Sequence, residues 1–492
     1  MNVVLILADQ LSACWLEGAA AACPTPHLDG LARRGMRFHR HIVHNPVCMP
    51  SRASLFTGRS SRVHGVLMNG YELGSDCPTF PQVLQRAGVH TAGFGKFHLQ
   101  CHHRSAHNDV RQYGFDVAEV TEDIRAGDWL DWVARAHPDC YEQALATVWP
   151  VPCLRQYGPE RINLLPRVQA ARTQHPPQAV APLTWSSVVP EHCCQTRWIG
   201  DRACAYLQSA AEPFFLTVSF VDPHDPYDPP ASYLRRVDAA QVPAPIPPTW
   251  PEDPRSPALF RRVSIRELFA GLDEAAWRQI RAHYLASVAF IDDQVGRVLA
   301  TLTARGLDDR TVVLFTSDHG DMLGDHGLPF KGAWHYDACI RTPLLAAGPG
   351  IVPGECPALI ESLDLFPTVL ELAGVTCKTP VEGRSLVPWL RGEPPADWRD
   401  AAYTESYASY SDRGLDGWAR TLRTAEWRYT LFAAGGGEQL FHLAEDPQER
   451  VNRAGDPACA AVRAELRDQL LERLIAQEHP FPPRGLFGLG TH

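Results

Sequence analysis

The sequence predicts an α/β fold, in which a large mixed and mostly parallel β-sheet is flanked by helices and followed by a smaller α+β subdomain. Three apolar runs, at residues 2–8, 214–221 and 311–316, each end in polar side chains. Uninterrupted apolar runs are typical of strands that are buried on both faces of a parallel sheet. Helical patterns lie between the runs and provide the crossover connections that parallel strands need.

The remaining elements are predicted in order along the chain. Thr25 and Pro26 begin a short helix that ends at Gly35, because threonine favours the cap position and proline the first turn. The pattern of apolar residues predicts further helices at 80–87, 275–305 and 363–374 and further strands at 90–95 and 342–347. Strands and helices therefore alternate through most of residues 1–391.

Two segments depart from this alternation. Residues 99–195 combine clustered His, Trp and Pro with weak periodicity, and we interpret them as an insertion over the functional site. The sequence turns polar and proline-rich around 392–395, which predicts a boundary between a large α/β domain at 1–391 and a small α+β subdomain at 392–492. The elements expected in the subdomain are antiparallel strands at 420–432 and 439–443, around a turn at 434–437, and a closing helix at 458–477.

Composition and charge exclude several classes of partner. The formal net charge is -10, which disfavours nucleic-acid binding, and no apolar run approaches the roughly 20 residues that a membrane-spanning helix needs. We therefore expect neither a nucleic-acid nor a membrane partner. The chain begins with an apolar run that leads directly into Asp9 without a basic leader, and this pattern predicts a cytoplasmic protein.

The cysteines are interpreted mainly as reduced thiols. There are 14 of them, scattered along the chain without a C-x-x-C pair. The neighbouring Cys193 and Cys194 are interpreted as packing or surface residues in preference to metal ligands. A metal site built from His102, His103 and His107 is likewise set aside in favour of a solvated loop.

The strongest local signal is the run CMPSRASLFTG, which begins at Cys48. It resembles the sulfatase signature at every position that the family fixes. In that family a separate formylglycine-generating enzyme oxidises the cysteine to formylglycine, so the resemblance implies the same conversion of Cys48. The alternative is an inert buried thiol that precedes a helix.

An aldehyde at position 48 would have a clear chemical use. One hydroxyl of its hydrate can attack sulfur, and the other can later lose its proton and expel sulfate as the carbonyl forms again. The residues from Ser51 onward are predicted to form a helix, whose N-terminal amides favour an anion beside Cys48. Arg52 would add a charged fork that points toward the diol.

Two strand ends predict a metal site. Asp9 and Gln10 follow the first apolar run, and Asp318 and His319 follow the run at 311–316. If the two strands are parallel neighbours, these side chains meet at the same edge of the sheet. Two carboxylates, an amide oxygen, an imidazole and an oxygen of converted Cys48 make a divalent-metal site. The alternative interpretation is that these residues only cap helices or solvate strand ends.

The resemblance to sulfatases, within the alkaline phosphatase superfamily, extends over nearly the whole chain. It includes Gly95-Lys96-Phe97-His98, Pro223-His224, Asp318-His319-Gly320 and Lys331-Gly332. Many members carry a second aspartate where this chain has Gln10, and an asparagine where it has His319. These departures leave the metal open between calcium, which we expect, and manganese or magnesium.

The same resemblance implies roles for four further residues. Lys96 and Lys331 would hold the sulfate oxygens, and His98 would act as the base for elimination. His224 would protonate the leaving alcohol. His335, four residues after Lys331, is expected to line the pocket.

The predicted function is hydrolysis of a sulfate monoester, with a small imported ester as the expected substrate. The closest alternative is a phosphonate monoester or phosphodiester hydrolase of the same superfamily. The pair Lys96 and His98 argues against it, because the phosphonate hydrolases that this chain resembles carry tyrosine and threonine in that region. A third interpretation is a catalytically silent binding protein, which requires that Cys48 remain a thiol.

Overall fold

A mixed eight-stranded sheet dominates the computed structural model, which describes residues 1–253, 255–257, 259–260, 264–376, 380–407 and 417–477. Its strands are β1 Asn2–Ala8, β2 Met36–Ile42, β3 His90–Gly95, β4 Val117–Val120, β5 Phe214–Ser219, β6 Thr311–Ser317, β7 Arg341–Ala347 and β8 Gly354–Glu361. Their order across the sheet is β4-β3-β5-β1-β6-β7-β2-β8. Within this sheet only β7 runs antiparallel to its neighbours, so the predicted mostly parallel sheet is confirmed.

The strand pairing that the metal prediction requires is present. β1 lies between β5 and β6 and is parallel to both, with Ala8 in register with Ser317. Every residue of β1 is buried, as the apolar run predicts. The residues that follow β1 and β6 therefore lie close together at one edge of the sheet.

Helices cover both faces of the sheet. In chain order, the α-helices whose bounds lie within the described residues are Ala13–Glu17, Pro26–Arg33, Cys48–Thr57, Ser61–His64, Phe80–Arg86, Asp128–Ala136, Tyr141–Thr147, Leu165–Gln174, Gln195–Ser209, Ala231–Leu234, Glu274–Ala304, Asp337–Ile340, Leu365–Leu372, Val387–Leu390 and Ala460–Ala476. The predicted helices that begin near Pro26, Phe80, Ala275, Leu363 and Ala458 are all found, within a few residues at each end. None of the helices among the described residues is long and apolar enough to span a membrane.

Alternate residues of β1 enter two different apolar clusters, because successive side chains of a strand point to opposite faces. The even-numbered apolar residues pack with the helices Gln195–Ser209 and Glu274–Ala304. The odd-numbered residues pack with the helices Cys48–Thr57 and Leu365–Leu372. The helix that begins at Cys48 is thereby held against the sheet by apolar side chains such as Met49, Leu55 and Phe56.

The segment 99–195 is more regular than the sequence predicts. It contains β4, which pairs with β3 as the edge strand of the main sheet, and three helices between 128 and 174. Trp129 is buried on the first of these helices. The weak periodicity reflects short elements separated by turns.

A second sheet follows the main one. It contains β9 Ala401–Ser406, β10 Ala419–Thr424, β11 Trp427–Phe432 and β12 Glu438–His442, all antiparallel, in the order β12-β11-β10-β9. The predicted single strand at 420–432 is wrong, because a turn after Thr424 divides it into β10 and β11. The helix Ala460–Ala476 packs on this sheet through Leu466 and Leu470. The domain boundary near 392 stays a prediction, and residues 478–492 of the predicted subdomain lie outside the described residues.

Candidate active site

Four adjacent strands end at one edge of the main sheet, and their following residues form a buried polar centre. β3, β5, β1 and β6 are consecutive in the sheet. The side chains that follow them are Lys96, His98, His224, Asp9, Gln10, Asp318 and His319, and each is at most 6% exposed. The helix Cys48–Thr57 begins at the same place, with Cys48 fully buried. Lys331 completes the centre from a loop after β6.

Four of these residues are arranged like metal ligands. One potential ligand atom from each of Asp9, Cys48, Asp318 and His319 lies within 4.8 Å of the others. His319 Nδ1 lies 3.0 Å from the carbonyl oxygen of Gly320, so that nitrogen carries the proton and Nε2 presents its lone pair to Cys48 Sγ, 3.2 Å away. Burial holds the pKa of His319 below its ordinary value, which keeps the ring in the neutral form that binds metals.

The carboxylates also fit a cation. Asp9 Oδ1 is buried and has no hydrogen-bond partner among the described residues, and it lies 3.7 Å from His319 Nε2. Asp318 Oδ1 accepts hydrogen bonds from the backbone N–H groups of Gln10 and His319. Burial opposes ionisation of Asp9, but Lys96, His224, Arg52 and Lys331 outweigh it and hold the pKa of Asp9 well below its usual range. An ionised carboxylate with an unpaired buried oxygen, beside an imidazole nitrogen that presents its lone pair, suits a divalent cation.

Gln10 lies beside this group, but its amide has other partners. Its Oε1 accepts a hydrogen bond from Lys331 Nζ, and its Nε2 donates to Asp321 Oδ2 at 2.5 Å. The backbone of Gln10 has a φ of 69°, which turns the chain sharply after β1. The role of Gln10 as a metal ligand stays a prediction. To bind a metal, its Oε1 would have to give up the hydrogen bond from Lys331.

Arg52 joins the two carboxylates. Its Nε donates to Asp318 Oδ2 at 2.7 Å and its Nη2 to Asp9 Oδ2 at 3.2 Å. Nη1 donates to the carbonyl of Lys96 at 2.6 Å and to Ser219 Oγ at 3.0 Å. These contacts give the fully buried guanidinium a role in orienting the carboxylates, in addition to its predicted role toward residue 48.

Two buried ammonium groups border the centre. Lys96 Nζ lies 2.5 Å from Asp9 Oδ2 and 3.2 Å from Asp123 Oδ2. Burial opposes its charge, but Asp123 and Asp9 raise the pKa of Lys96 above its ordinary value. Lys331 is similar, since Cys48 and Asp9 outweigh burial and raise its pKa. Both side chains therefore remain cationic and suited to an anion.

The two histidines predicted as base and acid differ in their surroundings. Neither ring nitrogen of His98 has a hydrogen-bond partner in the described part of the chain, and burial holds its pKa well below the ordinary value. His224 Nδ1 lies 2.7 Å from the carbonyl of Asp225, and its Nε2 lies 2.6 Å from Lys331 Nζ. Burial and Lys331 oppose protonation of His224, but Asp225 and Asp9 outweigh them and raise its pKa. A raised pKa suits a proton donor, provided that Nε2 takes up a proton when the ammonium of Lys331 moves away.

Comparison with known proteins decides which family has this centre. The family model described as Sulfatase matches residues 1–375, and the one described as N-sulphoglucosamine sulphohydrolase, C-terminal, matches residues 324–477. The chain belongs to the sulfatase family. It is a sulfuric ester hydrolase of the alkaline phosphatase superfamily, as its resemblance predicts.

Relatives of this sulfatase match nearly its whole length. A choline-sulfatase of Rhizobium meliloti is 30% identical, over 93% of this chain and 83% of the relative. An arylsulfatase of Clostridium perfringens is 29% identical, over 98% of this chain and 95% of the relative. Among solved structures, a phosphonate monoester hydrolase from Silicibacter pomeroyi aligns with a TM-score of 0.79 and 29% identity, covering 97% of this chain and 95% of that one.

Two buried acidic residues beside the site, Glu122 and Asp123, were not predicted from the sequence. Glu122 and Asp123 follow β4 just as Asp9 follows β1, and both are buried. Glu122 Oε1 accepts a hydrogen bond from the backbone N–H of His98 at 3.0 Å, and burial raises the pKa of Glu122 to about 7. The strand-end rule could have found them, but β4 has only four residues and no apolar run.

Two minor predictions are wrong. His102 is not on a solvated loop, because its buried ring lies 4.4 Å from that of His98 between centroids and its Nε2 lies 3.4 Å from Asp123 Oδ1. His335 does not line the site, because both of its ring nitrogens contact hydroxyl groups of the second sheet, at Thr421 and Ser406.

Proposed function

We propose that this sulfatase hydrolyses a small sulfate monoester, with a formylglycine hydrate derived from Cys48 as nucleophile and one bound divalent cation. The observation that carries the proposal is the position of Cys48. It is the first residue of a buried helix, with its Sγ 3.2 Å from His319 Nε2 and close to Asp9 and Asp318. A nucleophile at this point would react beside a cation and a helix N-terminus, both of which favour an anionic substrate.

The formylglycine would supply a nucleophilic hydroxyl and, on the same carbon, a second hydroxyl that allows sulfate to be expelled. Its formation requires a formylglycine-generating enzyme as a maturation partner. Cys48 is fully buried in the folded chain. We therefore expect the maturation enzyme to act before folding is complete.

We propose Asp9, Gln10, Asp318, His319 and an oxygen of converted Cys48 as the metal ligands. Calcium is the proposed cation because oxygen donors predominate in this set. Manganese and magnesium are the alternatives, because the nitrogen of His319 makes the set less purely oxygen. The cation would lower the pKa of a bound hydroxyl and offset negative charge on the sulfate. Arg52 would hold the Asp9 and Asp318 carboxylates in the ligating orientation.

The other residues act on the ester itself. Lys96 and Lys331 are buried cations that we propose to hold sulfate oxygens, Lys331 after it has left His224 and Gln10. His98 would remove the proton that allows sulfate to be expelled, since its low pKa leaves the ring neutral and able to accept. His224 would give its proton to the departing alcohol oxygen.

Mass spectrometry and activity together test the proposal. Protein co-expressed with a formylglycine-generating enzyme should lose about 18 Da at the peptide around Cys48 and should release sulfate from an aryl sulfate. The hydrated aldehyde has the mass of the thiol to within about 0.02 Da, so it should be recognised by its failure to react with iodoacetamide. Cys48→Ala, prepared identically, is the control that should show neither change. Active native protein with an unmodified Cys48 thiol would contradict the mechanism.

Phosphonate monoester hydrolysis is the second candidate, favoured by the structural similarity to the phosphonate monoester hydrolase described above. The same converted preparation should be assayed with an aryl sulfate and an aryl phosphonate monoester. We expect a higher kcat/KM for the sulfate, because Lys96 and His98 match the sulfatase pattern. A higher value for the phosphonate would reverse the assignment.

A cytoplasmic location is proposed for the same enzyme. The 13 cysteines in the described part of the chain are free thiols, which supports a reducing compartment. Fractionation of the native host should recover the sulfatase with cytosolic markers. Recovery with the periplasmic or extracellular fraction would contradict the proposal.

A further inference from the structure

Four potential metal-binding side chains lie together outside the active-site centre. His137 ends the helix Asp128–Ala136, and Cys140 lies in the turn that follows it. His192 and Cys193 lie in the turn that precedes the helix Gln195–Ser209. We refer to His137, Cys140, His192 and Cys193 as the His–Cys cluster.

Three side chains of the His–Cys cluster lie close enough to share one ion, and Cys140 borders them. One ligand atom from each of His137, His192 and Cys193 lies within 4.8 Å of the others. Cys140 Sγ lies 3.9 Å from His192 Nε2, and the Cys140 thiol neighbours that of Cys193. Zinc bonds of about 2.3 Å to sulfur and 2.0–2.1 Å to nitrogen place tetrahedral ligand atoms roughly 3.5 Å apart. Small side-chain rotations would therefore close the cluster around one ion.

The environment of the cluster suits a metal with a route from solvent. Cys140 is 3% exposed and Cys193 is fully buried, whereas His137 is half-buried and His192 is exposed. Thiolates on the buried side and imidazoles on the open side form the Cys₂His₂ set that zinc prefers. We propose that the His–Cys cluster is a structural zinc site.

Zinc at this position would fix one wall of the active site. The carbonyl oxygen of Cys193 accepts a hydrogen bond from Trp129 Nε1 at 2.8 Å. This bond links the turn that contains Cys193 to the helix Asp128–Ala136. Two residues later, Gln195 Nε2 donates to Thr121 Oγ1 at 2.6 Å and to the carbonyl of Glu122 at 3.1 Å. The ion would thus tie the 99–195 segment to the helix Gln195–Ser209 and support the position of Glu122.

The neighbouring Cys194 has a different role. Its Sγ lies 3.5 Å from the carbonyl of Val189 and 3.6 Å from that of Pro190, both within its own loop. The packing interpretation made from the sequence therefore remains valid for Cys194, whereas the proposal replaces it for Cys193.

Metal content of the purified full-length protein tests the site. After dialysis against Zn²⁺ and removal of free metal, wild type should hold one more zinc per chain than Cys193→Ser. His192→Ala, which removes an exposed ligand without disturbing the buried packing, should show the same loss. Cys204→Ser is the matched control, because Cys204 is a partly exposed thiol on the adjacent helix, and it should keep the wild-type zinc content.

Cobalt substitution identifies the ligands independently of activity. Co²⁺-loaded wild type and Cys204→Ser should show a thiolate-to-cobalt absorption that is diminished in Cys193→Ser and Cys140→Ser. Equal zinc content and equal cobalt spectra in all variants would overturn the proposal. So would an intact mass about 2 Da lower that is restored by reduction and maps to a Cys140–Cys193 disulfide, because bonded sulfurs do not ligate zinc.

Discussion

Arg52 is the residue on which both candidate carboxylate ligands depend. It is fully buried, and it donates to Asp318 Oδ2 and Asp9 Oδ2 through different nitrogens. Burial opposes its charge, but Asp318 and Asp9 raise the pKa of the guanidinium above its ordinary value. The three charges therefore stabilise one another, and removal of the cation leaves two buried anions.

Replacing Arg52 tests this dependence. Arg52→Met keeps the side-chain length and removes the charge, and we expect it to lower the free energy of unfolding by about 3–5 kcal/mol. Urea unfolding in EDTA measures this value without compensation from a bound metal. Arg52→Lys, the control, keeps one charge and should lose less. Equal free energies of unfolding for wild type and Arg52→Met would show that the two carboxylates do not require their ion pairs with Arg52.

His98 should affect chemistry more than stability. Its ring nitrogens have no hydrogen-bond partner within the described ranges, so substitution breaks no polar contact of the folded chain. We expect His98→Asn to lower kcat by about 10²- to 10⁴-fold, the usual contribution of a general acid or base, with a small change in the urea midpoint. His102→Asn is the neighbouring control and should retain more activity. A kcat near wild type for His98→Asn would remove it from the mechanism.

At the scale of elements, the sequence predicts the strands that carry the metal ligands and misses β4 and β8, at the two edges of the sheet, and β2, which lies next to β8. β1 and β6 are buried on both faces, so their apolar runs identify them and their ends place Asp9 and Asp318. β2 carries Arg37, His39 and Arg40, and this polarity conceals a strand that pairs with both β7 and β8. β4 is likewise not predicted, so Glu122 and Asp123, which follow it, are not recognised as residues at a strand end.

One buried histidine of β2 predicts a pH dependence. Burial lowers the pKa of His41 to about 3, and its Nδ1 lies 2.8 Å from Thr342 Oγ1. The unfolded chain binds this proton below a pH of about 6.5, whereas the folded chain does not. Above pH 6.5 the titration of His41 therefore leaves the free energy of unfolding unchanged. As the pH falls below 6.5, this titration lowers the free energy of unfolding, by at most about 1.4 kcal/mol per pH unit.

The variant His41→Leu isolates this effect. Its free energy of unfolding should fall less steeply than that of wild type between pH 6.5 and pH 5, measured by urea unfolding at each pH. The comparison cancels the other titrating groups, including Glu122, whose raised pKa acts in the opposite direction. Parallel pH profiles for wild type and His41→Leu would contradict the assignment of a neutral, buried His41.

At the scale of the whole molecule, the metal site joins elements that are distant in the chain. The proposed ligands come from the ends of β1 and β6 and from the start of the helix Cys48–Thr57, which pack in one rigid sheet-and-helix layer. A cation that binds only the folded arrangement stabilises it by RT ln(1 + [L]/Kd), or about 2.7 kcal/mol at a hundredfold excess over Kd. The stability of the entire fold should therefore depend on the cation.

Removal and return of calcium test this linkage. EDTA should lower the Tm of the full-length protein, and excess Ca²⁺ should restore it, whereas Asp9→Asn and Asp318→Asn should respond weakly because each lacks one ionised ligand. Calcium binds thiolates poorly, so its return leaves the His–Cys cluster empty and separates the two proposed sites. Restoration by Mn²⁺ or Mg²⁺ but not by Ca²⁺ would reassign the metal. A Tm insensitive to all three ions would contradict the ligand set that Asp9, Asp318 and His319 form.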